Sequence, residues 1–347
     1  MDDRKQKVLL AIIQDYVATA EPVGSRTIAR KYQLGVSPAT IRNEMADLEE
    51  MGYIEQPHTS AGRVPSIVGY RYYVDSLMKK EIVPPDLEKI IREGLERKVR
   101  DVGEIMHYTG QLLAKLTSYA ALVMMPGLFG GHIRHIQLVP LVLPRVTLVV
   151  VMDSGTIKNH VFEVEEDIGE DDLSVISTVL NAKLRGMTVA GIRRTVLSEI
   201  NLELSRYRDV LNRAMEALSD DRGTVEAGKI HLDGMFNILN QPEFHNVEKV
   251  KTLLTLLEQE DVLKGLLSGT VPAGSVTVRI GSEMSCRFVE ECSMVSATFR
   301  MGGQDVGILA VLGPTRMEYA RVVSLIEFAT RNLSLYLNRL VQGREDW

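Results

Sequence analysis

The chain of 347 residues lacks the features that mark secreted, membrane or disulfide-rich proteins. It contains only two cysteines, Cys286 and Cys292, so a disulfide framework is not expected. Its most apolar run, residues 138–152, is interrupted by two prolines and an arginine and is too short for a membrane span. The first residues do not show the charged and then apolar pattern of a secretory signal. We therefore expect a cytoplasmic protein with no membrane contact.

Motifs for catalysis, nucleotide binding and metal binding are also missing. No GxxxxGK[ST] is present and no GxGxxG follows a predicted strand. No Ser/His/Asp or paired-carboxylate arrangement stands out from chance. His132 and His135 have an HxxH spacing, but on a strand this spacing places the two rings on opposite faces. The sequence predicts a protein that is not an enzyme and needs no cofactor and no metal.

The charge is unevenly distributed along the chain. The net charge of −6 argues against a protein that coats nucleic acid indiscriminately. Residues 1–80 hold 11 Lys and Arg against 10 Asp and Glu, whereas the remaining 267 hold 29 against 36. Residues 24–43 contain four basic residues and no acidic one. This distribution indicates a small module with a local basic footprint, attached to an acidic body.

The segment that begins at Ser37 has the pattern of a helix that enters a DNA groove. Ser37 suits the N-cap and Pro38 the first helical position, where no amide hydrogen is needed. Ile41, Met45 and Leu48 recur at helical spacing and form one apolar face. The other face carries small and polar residues, namely Ala39, Asn43 and Ala46, flanked by Thr40 and Arg42.

Two alanines on that face would let the backbone approach DNA closely. Asn43 is a candidate for bidentate contact with adenine, and Arg42 for contact with guanine or a phosphate. The hydroxyl or the amide of Ser37 can also meet a phosphate. The alternative is an ordinary solvated helix face, and the residues that follow the helix favour the DNA interpretation.

A β-hairpin is predicted after this helix. Residues 53–56 read as one strand, 57–62 as the tip and 63–65 as the returning strand. Three helices followed by a hairpin constitute the winged variant of the helix-turn-helix. We therefore predict a winged-helix domain over residues 1–80. In it Ser25 caps the second helix and a connector helix runs from Ser66 to about Lys80, and residues 81–85 follow as a hinge. The further candidate DNA contacts of the domain are Arg26 on the second helix and, in the wing, His58, Thr59, Ser60 and Arg63.

For these residues, roles that involve no contact with DNA remain open as alternatives. Arg26 could serve solubility alone, and small polar residues are what any β-turn needs. Tyr70, Tyr72 and Tyr73 could stack on nucleic acid, but aromatic residues that pack a connector helix against its module are commoner.

Downstream, the sequence predicts an α+β body. A long amphipathic helix from Asp86 to Leu116 is followed by strands, and strands and a final helix return at the end of the chain. Residues 185–245 are more polar and mostly helical, which indicates an insertion. This gives 86–184 and 246–347 as the two parts of one antiparallel-sheet domain.

Three segments of the chain form a specific set of motifs, namely "YVATAEPVGSRTIA", "VSPATIRNEMADLEEMGYIEQPHTSAGRVPS" and "GYRYYVD". Through these motifs the whole chain resembles the HrcA heat-inducible transcription repressors of bacteria. The resemblance implies a winged helix, a GAF-like domain and, within the latter, an inserted dimerisation domain at 185–245. It further implies a homodimer that binds double-stranded DNA at an inverted repeat, the CIRCE element, ahead of chaperone operons. The resemblance also implies that the GroE chaperonin keeps the repressor active and that heat stress ends repression.

Two other functions remain as alternatives. One is a small-molecule-sensing regulator with its ligand in the GAF-like domain, although fold alone does not establish a function. The other is an adaptor that uses a winged helix for protein contacts.

Overall fold

The computed structural model describes residues 1–58, 61–96, 102–124, 132–152, 157–164, 168–187, 192, 194–219, 230–244, 246–257, 259–267, 275–284, 286, 289–301 and 304–342. Within these ranges the chain is a mixture of helices and antiparallel strands, so the α+β class is confirmed. No described helix combines the length and the apolar character needed to cross a bilayer.

Residues 3–77 form what we call the N-terminal module. Its elements are α1 (Asp3–Thr19), α2 (Ser25–Lys31), α3 (Pro38–Glu50), β1 (Ile54–Glu55), β2 (Val64–Pro65), α4 (Ile67–Tyr72) and a π-helical turn (Tyr73–Leu77). The two short strands pair antiparallel, with Ile54 opposite Pro65. The core of the module consists of fully buried residues, among them Leu9, Ile12, Ile28 and Leu48.

Two local predictions in this module need correction. The connector helix predicted from Ser66 to Lys80 is shorter, because Met78 is already extended. The aromatic and β-branched residues at 72–74 favour a helix only weakly. Ser25, predicted to cap α2, is instead the first helical residue, and Gly24 is the N-cap.

The long helix predicted from Asp86 to Leu116 is two helices. They are α5 (Pro85–Glu96) and α6 (Val102–Thr117), and residues 97–101 lie outside the described part of the chain. Apolar residues keep helical spacing through both segments, so the pattern alone gave no sign of a division.

A five-stranded sheet follows, in the order β7-β3-β10-β9-β8. Its strands are β3 (Ala120–Met124), β7 (Ile230–Asp233), β8 (Val276–Ile280), β9 (Cys292–Met301) and β10 (Gln304–Pro314). β8 and β9 pair antiparallel. The helices that accompany this sheet downstream of β7 are α10 (Met235–Leu239), α11 (Val247–Leu257), α12 (Glu260–Leu267) and α13 (Tyr319–Gln342).

A separate three-stranded antiparallel sheet lies between β3 and β7 in the sequence. It consists of β4 (Ile133–Val142), β5 (Arg145–Met152) and β6 (Ile157–Glu163). Three helices follow it, namely α7 (Glu170–Leu184), α8 (Arg194–Glu203) and α9 (Arg208–Ser219). α7 covers the backbone of β4, since Asn181 bonds both the amide and the carbonyl of Ile136 at 2.8 and 2.6 Å.

The chain divides into two compact units. Unit 1 comprises Met1–Val123, Ile230–Phe299 and Ile308–Tyr336, and unit 2 comprises Met124–Lys229, Arg300–Gly307 and Leu337–Trp347. This division differs from the predicted one at 86–184, 185–245 and 246–347. Strands β4 to β6 belong to unit 2, whereas β7, which lies inside 185–245, joins the five-stranded sheet. Composition did not reveal which sheet each strand joins, because that depends on pairing partners that are far away in the sequence.

Candidate nucleic-acid interface

The helix α3 is fixed by the signals that its sequence predicted. The Ser37 hydroxyl accepts a hydrogen bond from the Thr40 amide at 3.1 Å, and Pro38 is the first helical residue. Ile41 and Leu48 are completely buried and Met45 nearly so. The N-cap, the helix start and the inward face are therefore confirmed.

The opposite face of α3 is open to solvent. Ala39, Arg42, Asn43 and Ala46 are exposed, and Thr40 is half-buried beside them. Among the residues that the structure describes, the side chains of Arg42 and Asn43 have no hydrogen-bond or ion-pair partner. Groups that can donate and accept at base edges thus project from a helix whose other side is anchored.

α2 carries basic residues with two different roles. Arg26 and Arg30 are exposed. Lys31 instead lies 2.5 Å from the buried carboxylate of Asp15 on α1, and this hydrogen bond raises the pKa of Lys31. Lys31 therefore neutralises a buried acid, and Arg26 and Arg30 are the cations of α2 that point into solvent.

The hairpin is fastened to the rest of the module through Arg63. Its backbone exchanges two hydrogen bonds with Val23, at 2.8 and 2.9 Å. Its guanidinium donates to Glu49 of α3, with nitrogen–oxygen distances of 2.7 and 2.9 Å. In this structure Arg63 is a brace between the hairpin and α3, so contact with DNA would require it to exchange partners.

The other predicted wing residues lie at the tip of the hairpin. His58 is exposed. Thr59 and Ser60 fall outside the residues that the structure describes.

Lys5 on α1 is a residue of this region that sequence reasoning missed. Its ammonium lies 3.0 Å from both Glu44 and Asp47 of α3 and 3.2 Å from Asp2. The hydrogen bonds that Lys5 donates to these carboxylates, first of all to Glu44, raise the pKa of Lys5. Lys5 therefore ties α1 to the middle of α3. No local sequence pattern predicts these ion pairs, because Glu44 and Asp47 lie about 40 positions away from Lys5 in the sequence.

The tyrosines of α4 and its π-turn pack against protein. Tyr70 is buried, with its ring 5.8 Å from that of Tyr319. The Tyr72 ring lies 5.3 Å from Tyr53, and its hydroxyl accepts from the Gln6 amide at 3.1 Å. This confirms the packing interpretation for these two tyrosines over base stacking.

Comparison with known proteins agrees with the resemblance over the full length. The family model of the HrcA protein C-terminal domain matches residues 103–323. The heat-inducible transcription repressor HrcA of Pelotomaculum thermopropionicum is 57% identical over 343 residues, which cover 99% of each chain. That of Desulforamulus reducens is 55% identical over 344 residues, with the same coverage.

A solved structure is also similar to this chain. It is described as the crystal structure of a hypothetical protein at 2.2 Å resolution, with a TM-score of 0.61, 25% sequence identity and 98% coverage of both chains. The match of the family model and the two relatives together show that this chain belongs to the HrcA family of heat-inducible transcription repressors.

Proposed function

We propose that the N-terminal module is a winged helix that inserts α3 into the major groove of an operator. The observation that carries this is the two-sided character of α3. One side is buried through Ile41 and Leu48, while Ala39, Arg42 and Asn43 stand exposed on the other. The exposed Arg26 and Arg30 on α2 are placed to meet phosphates, since the helix before a recognition helix crosses the DNA backbone.

We further propose that the protein acts as a two-fold homodimer on an inverted repeat, the CIRCE element. A two-fold dimer places two recognition helices one DNA turn, or a multiple of it, apart. The candidate dimer surface is the open face of β4–β6, which differs from the predicted 185–245 segment. Antiparallel sheets that face water usually carry polar residues there. In contrast, Val139, Ile157 and Val161 are 38%, 57% and 53% exposed.

The pairing register shows that these residues share the open face with Val149 and Val151, with the polar residues Gln137, Thr147 and Asn159 among them. Val139 lies opposite Thr147, which lies opposite Val161 on the other side. Ile157 lies opposite Val151. An exposed apolar patch of this kind marks an interaction surface. A second copy of the chain is its proposed occupant, because an inverted-repeat operator requires a symmetric reader.

The regulatory proposal concerns chaperone expression. The bound dimer represses chaperone operons, and the GroE chaperonin keeps the repressor folded and active. Heat stress occupies the chaperonin with other clients, so active repressor declines and the operons are expressed.

The direct test is a footprint of the purified full-length protein on its own chaperone promoters, with and without chaperonin. We expect protection of an inverted repeat, stronger with chaperonin, and a steep loss of affinity with salt because phosphate contacts release counterions. Arg42→Ala should weaken this footprint. The control is Lys89→Ala on α5, which also removes one positive charge from an exposed position but should leave the footprint unchanged. Salt-insensitive binding, or no protection, would favour the adaptor function.

A small-molecule-sensing function has one specific observation in its favour, although the cavity concerned is lined in part by the N-terminal module and is not confined to the predicted GAF-like domain. Unit 1 contains a cavity of about 480 Å³ lined by Ile13 and Val17 of α1, Tyr73 and residues 317–321. This volume lies within the range of ligand sites, about 300–1,000 Å³. Thermal-shift screening of the full chain separates the two functions. A compound that both stabilises the protein and releases operator DNA would favour the sensor.

A further inference from the structure

The N-terminal module is docked on the remainder of unit 1, which we call the sheet region (the part of unit 1 after residue 84). Both belong to one compact unit. The centre of the contact is apolar. Tyr70 and Tyr319 are buried against each other, and a Cβ at Gly281 would lie 2.7 Å from the Ile67 side chain. Two arginines flank this centre, one from each side of the contact.

Arg71 of α4 reaches from the module to the sheet region. Its guanidinium pairs with both carboxylate oxygens of Glu283, one of them at 2.9 Å from Nε, and donates to the Val278 carbonyl at 2.7 Å. Glu283 is itself held by the Ile280 amide at 2.8 Å. A bidentate arginine–carboxylate pair fixes direction as well as distance.

The surroundings of Glu283 favour its charged form. Burial alone would raise the pKa of Glu283, but the Arg71 guanidinium and the Ile280 amide outweigh it, so the pKa is lowered. The pair is about one-third exposed on each side, so its stabilising effect is partly screened by solvent. Its main consequence is geometric.

Arg316 reaches in the opposite direction, from the sheet region to the module. It is 8% exposed and donates to the Val17 carbonyl in the last turn of α1 at 2.9 Å. It also forms a bidentate pair with Glu243 and donates to Gln241 at 3.0 Å. α1 has no basic residue in its own last turn. Arg316 thus supplies the cation that a helix C-terminus favours.

From this geometry we propose that Arg71 and Arg316 are positioning residues for operator recognition. They hold the N-terminal module in one orientation on the sheet region, which removes rotation of the module as a source of freedom in the spacing of the two α3 helices of a dimer. This inference rests on the proposed dimeric, inverted-repeat function. A fixed orientation raises the effective concentration of the second reading head after the first has bound.

The positioning role can be measured as the ratio of the affinity for the full inverted repeat to the affinity for an isolated half-site. Arg71→Gln and Glu283→Gln should each reduce the preference for the full inverted repeat over an isolated half-site by about 10-fold. Linked sites can add about 100- to 10,000-fold in total. Affinity for the half-site should not change, because neither residue lies on the exposed face of α3. A residue that only stabilised the fold would lower both affinities together.

The experiment is a fluorescence-anisotropy titration of the full-length protein on both DNAs, with melting followed by circular dichroism. Gln at position 283 can still accept from the Ile280 amide, so Glu283→Gln is the variant less prone to misfold. Arg316→Lys is the second test, because it keeps a buried cation but loses the bidentate geometry. Lys249→Gln breaks an exposed pair with Glu291 that lies within the sheet region and serves as the matched control.

The outcomes are distinguishable. A lower ratio of full-repeat to half-site affinity in the Arg71, Glu283 and Arg316 variants supports the positioning role, provided that the ratio of Lys249→Gln is unchanged. An unchanged ratio overturns it, and a higher ratio also does, since the contacts would then hold the module off register. If the wild-type protein itself shows no preference for the full repeat, the dimeric function fails instead.

Discussion

Asn43 and Arg42 are polar side chains that α3 leaves exposed, and no described residue bonds to them. We expect Asn43→Ala to cost about 1–3 kcal/mol per half-site and to relax base preference at one position. The measurement is a gel-shift titration against operators substituted at single positions. Full affinity and unchanged base preference in Asn43→Ala would show that α3 is not the reading helix.

Arg42 has two candidate partners, and salt dependence separates them. If Arg42 binds a phosphate, Arg42→Ala should weaken binding equally across operator variants and lower the salt slope by about one. If it binds guanine, the loss should concentrate at one base pair. We expect one of these two patterns, and neither should appear in Lys89→Ala.

The two cysteines differ in reactivity. Cys292 is 1% exposed, and burial raises its pKa to about 12, whereas Cys286 is only half-buried. Because the thiolate is the reactive form, Cys292 should not react with a disulfide reagent at pH 8 until the protein is unfolded. The Cys286→Ser variant isolates the Cys292 signal. A rapid reaction of the folded Cys286→Ser variant with the reagent would contradict the assignment of Cys292 as unreactive.

At the scale of elements, the hairpin depends on a close backbone approach at Gly62. A Cβ there would lie 2.5 Å from the Val23 carbonyl oxygen and 2.6 Å from its carbon. Its neighbour Arg63 makes the two backbone bonds to Val23, so a shift at Gly62 would break them. The requirement is therefore for space between two backbone segments.

We expect Gly62→Ala to destabilise the protein by about 1–3 kcal/mol, the usual cost of overpacking, and to weaken operator binding by displacing the hairpin. Urea unfolding and anisotropy measure the two effects. Gly265→Ala in α12, where nothing lies within 4 Å of the added carbon, is the control and should unfold no earlier than the wild type. Equal stability of both variants would mean that the hairpin yields without cost.

Elements with local signals were predictable, and their partners were not. Ser37 and Pro38 specify where α3 begins, and Ile41, Met45 and Leu48 specify its buried side, because capping and periodicity act over a few residues. The pairing of Arg63 with Glu49 depends on the fold of the intervening chain, so no sequence pattern indicates it. The sequence therefore predicted Arg63 as a DNA contact but missed its role as a brace.

At the scale of the whole molecule, the arrangement of units was the least predictable feature. The segment Glu81–Pro85 reads as a hinge, yet the module before it is packed on the sheet region through Tyr70, Arg71 and Arg316. Similarly, β7 is a four-residue strand whose membership in the five-stranded sheet depends on pairing with β3, more than 100 residues earlier. Contacts between surfaces far apart in sequence decide both features, and no short-range pattern encodes them.

The proposed dimer surface can be tested by placing a charge on it. Val161 is 53% exposed and lies opposite Thr147 on the open face of β4–β6. Because its side chain points away from the core of unit 2, Val161→Glu should leave the monomer folded. In a dimer, the new carboxylate would be buried against apolar groups without a partner, which is strongly unfavourable.

We therefore expect Val161→Glu to sediment as a monomer and to bind half-sites normally, with most of its preference for the full repeat lost. Val175→Glu is the matched control, since Val175 is 49% exposed but lies on α7, away from the open sheet face. Sedimentation velocity and anisotropy on the same samples provide the comparison. A dimeric Val161→Glu protein, or a Val175→Glu protein that dissociates, would move the interface off this sheet, because only a surface that the second copy covers responds to a charge placed on it.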